Sequence, residues 1–514
     1  MTTANPKSRL KSNHPLKRIA FFLLVSLSPI CAFAQVDDSF DNFVSQDNFD
    51  AFQQQMEHRF STFQDTINNR FAKEIERQWT SFQTFTGEKC PTKPRPQTLP
   101  QADTNHHGQS SVELPIGEIL NTAAELSTEE KTPSTLQRIP EPLPQNASSL
   151  NTVSTSFYLQ PIDFSCPRQY ADAHLRDVTE KSVADFWTYL ACDGYSEFVR
   201  QCRKEEEKMQ LNDWGVFELV KSFARQLFPD NFKEQTIFTV FTMNQLGYRA
   251  RIGRTDGQLI CLVPCHSNLY SVPYIKSDKG IPYYIFNLSP QILREDALYT
   301  YDMDFPNATA YIDMNIYFPM RFAYKPIGDV FTAKICGEKL SIPANQCLIG
   351  FYENYPFVDL EVYANAIPEE RWTRTVDSAL IPIIKGKTEY ESVAILLSFL
   401  HKSFSYAYDD DQFGKEKYFF CEENFYYSSN DCEDRSILFS YLVRHLVGLD
   451  VILLDYPEHI ATAVHFNDPT IPGDYYTYKG KKYIVCDPTY IGADIGETMP
   501  MYKNVKANVI ELRK

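Results

Sequence analysis

The sequence predicts an α+β protein in which an N-terminal helix and a linker precede several globular modules. Three observations support this prediction. Aromatic residues recur every eleven positions between 40 and 86, apolar residues recur at helical spacing in later segments, and runs such as QLICLVP and KKYIVC have the β-branched character of short strands. With 514 residues, 43% of them hydrophobic, the chain can bury more than one core, so two to four domains are expected.

Residues 1–34 have the pattern of a secretory signal peptide. Five positive residues precede the apolar run IAFFLLVSLSPICAFA, which ends in an Ala-x-Ala motif. Cleavage after Ala34 is favoured over a lipid anchor at Cys31, because Pro29 and Ile30 are bulky where a lipoprotein signal needs small residues. The sequence therefore predicts a secreted or periplasmic protein.

The mature chain is predicted to be strongly acidic. Removal of the signal takes away five positive residues and no negative ones, so the formal charge moves from −16 to −21. This charge argues against nucleic acid and anionic membranes as partners. No later stretch reaches the ~18 apolar residues of a membrane span.

The cysteines leave two interpretations open. Twelve become eleven after cleavage, so at least one thiol of an exported chain is unpaired or intermolecular. Cys336 with Cys347, and Cys261 with Cys265, are separated by distances in sequence that a disulfide can bridge. Buried reduced cysteines are the equal alternative.

Residues 35–87 are predicted to form one long amphipathic helix. The main column of the eleven-residue repeat is Phe49, Phe60, Phe71 and Phe82. A period of eleven gives about 3.67 residues per turn, which keeps these rings on one stripe. Self-association through residues 40–86, as in a coiled coil, and docking of the stripe on the main body both stay open.

A linker and an α/β module are predicted next. Residues 88–150 are rich in Pro, Ser, Thr and Gln, a composition typical of a disordered linker. Residues 151–295 have helical patterns at 179–191 and 214–227, followed by a helix that leads into strands.

Two further modules complete the predicted architecture. Residues 296–385 alternate, as in YIDMNIYF, and are predicted to be an antiparallel β module without a long helix. Residues 386–514 begin with a helix at 388–403 and continue in the order loop, helix, strand, strand.

The stretch SSNDCEDRSILF places Cys432 in the first turn of a helix, since capping residues precede it and apolar residues at helical spacing follow. Unpaired backbone N–H groups and the helix dipole favour a thiolate there, so the pKa of Cys432 is expected to fall from ~8.5 towards neutrality or below. A thiolate is the nucleophile of acyl transfer. A small residue packed beneath the helix is the alternative.

Two later segments supply the partners that such a thiolate needs. PEHIATAVHF puts His459 at the head of a strand, and KKYIVCDPTY puts Asp487 at the end of the next. Cysteine, imidazole and carboxylate form a nucleophile, base and orienter set. His465 lies on the same strand face, but the strand head favours His459. His445, within the cysteine helix, is expected to be a surface or packing residue.

The pattern Cys432-x-Asp434, His459 opening a strand, and Asp487 followed by Pro-Thr resembles the transglutaminase-like superfamily, which shares a papain-like core. The resemblance covers roughly residues 386–500. It implies that Cys432 is the nucleophile, His459 the base and Asp487 the orienting acid, with Asp434 a structural acid in the first helical turn.

The resemblance also implies a function. A thiol enzyme of this type attacks a carboxamide or peptide carbonyl of a protein or peptide substrate and releases the acyl group to water, as a peptidase or amidase, or to an amine, as a cross-linker. Tyr406 is a candidate oxyanion donor beside the backbone N–H of Cys432. Ala461 stands where the family usually has an aromatic residue, and Asp431 where it often has glycine, which bears on substrate preference. A catalytically silent binding or assembly protein is the alternative.

No cofactor or metal is predicted. The adjacent acids Asp409, Asp410 and Asp411 lack the alternate spacing and the glycine of a calcium loop. We interpret them as a solvated turn.

An earlier segment echoes the C-terminal one. LGYRARIGR at 246–254 is similar to LVGLDVILL at 446–454. The corresponding positions are Asn231 or Phe232 for Cys432, Gln258 for His459 and Asn287 for Asp487. We hypothesise that residues 151–295 contain an inactive duplicate, against the alternative that any helix–strand–strand unit gives such echoes. Different strand orders in the two segments would contradict the hypothesis.

Overall fold

The computed structural model describes residues 64–89, 100–102, 111–120, 150–255, 257–291, 297–327, 331–336 and 338–513. They belong to one compact unit, Phe63–Lys514, that mixes helices with two large sheets, as an α+β class requires. The predicted signal peptide with Cys31, residues 35–63 of the predicted helix, and much of the predicted linker lie outside the described residues.

The elements follow one another along the chain with these bounds. The helices are α1 (64–75), α2 (Glu180–Leu190), α3 (Tyr195–Met209), α4 (Asp213–Leu227), α5 (Phe232–Gln245), α6 (Gln346–Glu353), α7 (Leu360–Ala364), α8 (Glu370–Ile384), α9 (Glu389–Ser403), α10 (Asp409–Phe413) and α11 (Cys432–Leu442). The strands are β1 (Thr80–Phe82), β2 (Thr84–Phe85), β3 (Ile116–Ile119), β4 (Leu150–Phe157), β5 (Gln160–Pro167), β6 (Arg251–Thr255), β7 (Gln258–Val263), β8 (Tyr274–Lys276), β9 (Pro282–Phe286), β10 (Leu298–Thr300), β11 (Phe331–Ile335), β12 (Glu338–Ile342), β13 (Ser405–Tyr406), β14 (Ser429–Asn430), β15 (Asp450–Tyr456), β16 (His459–His465), β17 (Tyr475–Tyr478), β18 (Lys481–Cys486) and β19 (Ala507–Glu511). A π-helical turn, Val443–Val447, extends α11, and 3₁₀ turns lie at Arg168–Asp172, Cys421–Phe425 and Pro500–Tyr502.

The first sheet has the strand order β1-β10-β6-β7-β9-β8-β2 and is antiparallel throughout. Thr255 pairs with Gln258 at the closed end of the β6–β7 hairpin. Along β7, Leu259 and Cys261 belong to the main core with α5, while Ile260 belongs to a smaller cluster on the opposite face. Successive side chains of a strand point to opposite faces of its sheet, so β7 contributes residues to a core on each face.

The second sheet has the order β17-β18-β16-β15-β19-β3, and its strands are antiparallel except for β3 beside β19. Tyr456 pairs with His459 at the closed end of the β15–β16 hairpin. Ile460 belongs to the main core with α11, and Ala461 to a cluster on the outer face. His459 is thus the first residue of an interior strand that packs against α11.

The two sheets share a strand order. Reading β8-β9-β7-β6-β10-β1 against β17-β18-β16-β15-β19-β3 matches every strand in its chain sequence and position, apart from β2 and the direction of the last strand. A helix packs on the matching strand of each sheet, α5 on β7 and α11 on β16. Gly247 and Gly448, with φ of 95° and 79°, follow these helices in the left-handed conformation that suits glycine. A shared order is what the duplicate hypothesis requires.

Several predicted elements are confirmed. The helical patterns at 179–191, 214–227 and 388–403 correspond to α2, α4 and α9. Thr388 begins α9 with a capping box: its hydroxyl accepts a hydrogen bond from the Glu391 N–H, and the Glu391 carboxylate accepts one from the Thr388 N–H.

The predicted helix at 35–87 is wrong in its C-terminal part. Within the described residues it ends at 75, and Phe82 and Phe85 lie on β1 and β2. The stretch TSFQTF contains threonine and phenylalanine, which favour strands, and pairing with the first sheet decided its conformation. Phe71 is buried against Trp187, with ring centroids 5.0 Å apart, so this part of the stripe docks on the protein's own body.

The predicted disordered linker is also partly wrong. Residues 116–119 form β3, and the buried Leu114 donates its backbone N–H to the Tyr475 carbonyl oxygen at 2.8 Å. An edge strand is bound to its sheet by main-chain hydrogen bonds, which the amino-acid composition does not indicate.

The β module predicted at 296–385 is not formed. Among the described residues of this range, α6, α7 and α8 are helical, and the strands are β10 and the β11–β12 hairpin. The buried residues of α8 are Trp372, Val376, Leu380 and Ile384. Their spacing of four is a helical signal that outweighs the short alternating runs around it.

Two further predictions concern disulfide bridges and membrane-spanning helices. All ten cysteines among the described residues are free, so the bridges considered between Cys336 and Cys347 and between Cys261 and Cys265 are absent. Within the same residues, every helix is too short or too polar to cross a membrane.

Candidate active site

His459 and Asp487 form a buried pair where β16 begins and β18 ends. Nε2 of His459 lies 2.8 Å from Oδ2 of Asp487, and the side chains are 4% and 3% exposed. The other carboxylate oxygen accepts the backbone N–H groups of Thr489 and Tyr490. Burial opposes ionisation of Asp487, but the charge and hydrogen bond of His459 and the Thr489 N–H outweigh it, so the pKa of Asp487 lies below its ordinary value. A carboxylate held this way fixes the tautomer and orientation of an imidazole.

Cys432 is the first residue of α11, as the sequence predicts. Asp431 is the N-cap, and Asp434 closes the turn by accepting the Asp431 N–H at 3.3 Å. The backbone N–H of Ile460, the residue after His459, interacts with the Cys432 sulfur and favours its ionised form. The start of α11 and the head of β16 therefore meet at the thiol.

The expected low pKa of Cys432 is not found. Its side chain is 2% exposed, and Sγ donates a hydrogen bond to Oε2 of Glu433 at 2.8 Å and not to His459. Burial, then the charges of Glu433 and Asp431, raise the pKa of Cys432 well above its ordinary value. The helix N-terminus favours the thiolate, but desolvation and two neighbouring carboxylates oppose it more strongly.

Tyr406, from the preceding segment, and Asp434, in the first turn of α11, both lie at the start of that helix. Tyr406 lies on β13, which pairs with β14 just before Cys432, and the charge of Cys432 is second to burial among the causes that raise the pKa of Tyr406. Asp434 is fully buried and accepts the Phe419 N–H at 2.8 Å. Its pKa is raised by burial and then by Asp409.

Four further residues contact this site and are not singled out by the sequence. Glu433 accepts the hydrogen bond from the thiol, and Tyr502 stacks on His459 with ring centroids 5.4 Å apart. Nε2 of His401, at the end of α9, lies 3.0 Å from the carbonyl oxygen of Asp487. Arg435 is fully buried, with Nε donating to Asn430 at 2.9 Å. The run CEDR, in which Glu433 and Arg435 directly follow the cysteine, is the sequence signal that could have indicated two of these four residues.

The other candidate histidines lie away from this pair, and two further cysteines of the C-terminal segment are buried. Nδ1 of His465 is 2.9 Å from the Lys482 carbonyl oxygen, at the far end of β16. His445 pairs with Asp377 at 2.7 Å. Cys421 and Cys486 are buried, and burial is the first cause that raises the pKa of each.

The interpretation of the acids at 409–411 as a solvated turn is correct only in part. They begin the short helix α10, and Asp410 and Asp411 are exposed, but Asp409 is 3% exposed, with Oδ2 accepting the Lys417 N–H at 2.8 Å. Within the described part of the chain, no group of three His, Cys, Asp or Glu side chains is arranged to hold a metal ion.

Comparison with protein-family models, with curated proteins and with solved structures found no match to this chain. The chemistry of the site therefore has to be inferred from its own geometry.

Proposed function

We propose that the protein is an exported thiol enzyme of the transglutaminase-like type, with a papain-like arrangement of Cys432, His459 and Asp487. The buried His459–Asp487 pair, placed next to a cysteine at a helix N-terminus, carries the proposal. Burying a carboxylate and an imidazole costs desolvation free energy. In this position the carboxylate can orient the imidazole, and the imidazole can act as the base.

Proton transfer from the thiol is the first step of the proposed reaction. Because Nε2 of His459 is bonded to Asp487, the other ring nitrogen, Nδ1, is the one left to accept the Cys432 proton. The resulting imidazolium is stabilised by the Asp487 carboxylate. The Ile460 N–H and the first turn of α11 stabilise the thiolate.

Acyl transfer then follows in two stages. The thiolate adds to a peptide or carboxamide carbonyl, the Cys432 N–H and the Tyr406 hydroxyl are the candidate donors to the oxyanion, and the imidazolium protonates the departing amine. Water, or an amine, next attacks the thioester with His459 as base. We favour water, and therefore a peptidase or amidase, with cross-linking as the variant in which an amine is the acceptor.

The test is capture of the acyl-enzyme. The full chain is incubated with an activated ester and with glutamine-containing and cell-wall peptides, and intact mass and peptide mapping locate any adduct. We expect an acyl group on Cys432 that disappears in Cys432→Ala, together with slower acylation in His459→Ala. Acylation that is unchanged in Cys432→Ala would contradict the proposal.

A second function is favoured by one observation. The thiol is buried, bonded to Glu433, and has a raised pKa, which suits a catalytically silent fold that acts as a binding or assembly protein. Under this alternative, neither ester nor peptide acylates Cys432 at any pH at which the protein stays folded.

A further inference from the structure

Glu433 makes the direct hydrogen bond to the candidate nucleophile. Its carboxylate oxygen Oε2 accepts a hydrogen bond from the Cys432 thiol, with 2.8 Å between Sγ and Oε2, and its side chain is fully buried. A buried carboxylate next to a thiol disfavours the thiolate, because the two negative charges repel each other in a medium of low dielectric constant. This is the opposite of what a cysteine nucleophile needs at rest.

We propose that Glu433 is a positioning residue that holds Cys432 in a resting state, and that His459 receives the thiol proton only after the bond between Cys432 and Glu433 breaks. The inference rests on the proposed function for the role of His459. The hydrogen bond to Glu433 itself is independent of that function.

The proton has a defined route in this proposal. In the resting state it stays on Sγ and points to Oε2 of Glu433. Rotation of the thiol away from Glu433 breaks this hydrogen bond, and the proton then passes from Sγ to Nδ1 of His459. The thiolate and the imidazolium form together, so the charge of the site does not change.

The other charged groups around the thiol come from each neighbouring element. Asp431 and Arg435 belong to the start of α11, Tyr406 to β13 and Tyr502 to the 3₁₀ turn at Pro500–Tyr502, and each interacts electrostatically with Cys432. His459 begins β16 of the second sheet, and Asp487 directly follows β18. Glu433 is distinguished from all of these by its hydrogen bond to the sulfur.

The test is the pH dependence of iodoacetamide alkylation at Cys432, mapped by mass spectrometry in the full chain. In Glu433→Gln, which keeps the shape of the side chain and removes its charge, we expect the midpoint of the rate profile to move to lower pH. A shift of one unit corresponds to about a tenfold higher thiolate fraction below the midpoint. The matched control is Glu422→Gln, a buried glutamate whose bonds go to Glu369 and Tyr352. A midpoint equal in wild type and Glu433→Gln overturns the proposal.

A second measurement does not depend on the folding of a variant at Glu433. The infrared S–H stretch of the wild type, isolated by subtraction of Cys432→Ser, moves to lower frequency when a thiol donates a strong hydrogen bond. We expect this low-frequency band, and a band at the position of a free thiol overturns the proposal. Failure of the proposed function would be seen separately, in His459→Ala. If His459 is not the base, the alkylation rate of Cys432 in that variant equals the wild-type rate, whether or not Glu433→Gln shifts the midpoint.

An independent observation supports a second inference, on the first half of the chain. The match between the sheets extends to side chains: Thr236 on α5 donates to the Leu259 carbonyl at 3.3 Å, and Ser436 on α11 donates to the Ile460 carbonyl at 3.1 Å. Each carbonyl belongs to the second residue of its strand. Each helix therefore meets its sheet at the same place.

The hairpin at the start of each unit also matches. β4 and β5 pack against α4 and α3, and β11 and β12 pack against α9 and α8, so each unit begins with a hairpin that packs on two consecutive helices. Register then fixes the equivalent positions at the site: Phe232 for Cys432, Gln258 for His459 and Asn287 for Asp487. Residues 404–430, between α9 and α11, are an insertion of the second unit.

We infer that residues 150–300 and 331–511 are two copies of one unit, and that the first copy has lost the reacting residues and docks the N-terminal helix. Asn68 on α1 accepts hydrogen bonds from Trp187 at 3.1 Å and from Gln245 at 3.0 Å. The position equivalent to Gln245, at the end of the matching helix, is His445, which pairs with Asp377.

Thiol bridging by dibromobimane, which fluoresces when it joins two nearby cysteines, tests this equivalence in the full chain. One variant carries Phe232→Cys with Gln258→Cys, and the other pairs native Cys432 with His459→Cys. The control carries Phe232→Cys with Gln245→Cys, at opposite ends of α5 and about 20 Å apart at 1.5 Å per residue. We expect both test pairs to be bridged and the control not. Bridging of one test pair alone overturns the inference.

Discussion

His459 and Asp487 are joined by a 2.8 Å hydrogen bond between Nε2 and Oδ2, and both side chains are almost completely excluded from solvent. Asp487 is in turn tied to the chain by the Thr489 N–H at 2.9 Å and by His401 on its own carbonyl oxygen. The orientation of the imidazole is thus set by three elements that are distant in sequence.

Asp487→Asn tests what this orientation contributes. The amide oxygen can still accept the Thr489 N–H, but the charge that stabilises an imidazolium is lost. We expect acylation of Cys432 to slow, towards the scale of about 10⁴-fold seen when a triad carboxylate is neutralised. Single-turnover acylation rates measure this effect. Asp468→Asn, in an exposed turn with Thr470, is the control, and equal rates in the two variants would contradict the role of Asp487.

Tyr502 is predicted to keep the imidazole in place by stacking. Its ring lies 5.4 Å from His459 and 4.6 Å from Tyr456, and burial, then Glu458 and Cys432, raise its pKa to about 12. In Tyr502→Ala we expect a rate loss of about 2- to 10-fold, from the 0.5–1.5 kcal/mol of an aromatic pair. Tyr502→Phe keeps the ring and is expected to react like the wild type. The pH–rate profile of Cys432 alkylation is the measurement, and a loss in Tyr502→Phe as large as in Tyr502→Ala would point to the hydroxyl instead.

Glu422 is predicted to make stability depend on pH. It is 2% exposed, and burial raises its pKa to about 7, against ~4.3 in an unfolded chain. Between these values the folded state keeps a proton that the unfolded state has released, so the free energy of unfolding falls as pH rises and levels off above about 7. At about 1.4 kcal/mol per unit, the loss is on the order of a few kcal/mol.

Glu422→Gln removes this loss while its oxygen still accepts the Glu369 N–H. We expect the variant to match the wild type near pH 4 and to exceed it at pH 8. Urea unfolding across this range measures the difference. Glu458→Gln changes an exposed carboxyl, so its free energy of unfolding should vary with pH as that of the wild type does. The same pH dependence in Glu422→Gln would show that the Glu422 pKa is not raised.

Phe71 is predicted to stabilise the whole compact unit. It is 1% exposed, between Trp187 at 5.0 Å and Phe305 at 5.1 Å. Phe71→Ala should lower the free energy of unfolding by about 3–5 kcal/mol, the usual cost of emptying a buried aromatic site. Thermal and urea unfolding measure the loss, and Lys73→Ala, on the exposed side of the same helix, should change it by no more than about 0.5 kcal/mol. A small loss for Phe71→Ala would mean that α1 does not dock in solution.

Local sequence patterns predicted several of the elements that bear the candidate site. The start of α11 at Cys432, the strand that opens with His459 and the strand that leads to Asp487 could all be read from the chain, because capping residues and apolar periodicity act over a few residues. The strand at Thr80–Phe82 and the edge strand at Ile116–Ile119 could not, because main-chain pairing with partners more than two hundred residues away decided them.

The sequence by itself determined the residue types of the candidate site and the elements that bear them. Only the tertiary structure decided their surroundings: the bond from Cys432 to Glu433, the stack of Tyr502 on His459, and the burial that raises the pKa of the thiol. The physical reason is that a helix dipole is a property of the local chain, whereas desolvation and the charges facing a side chain depend on every segment packed around it.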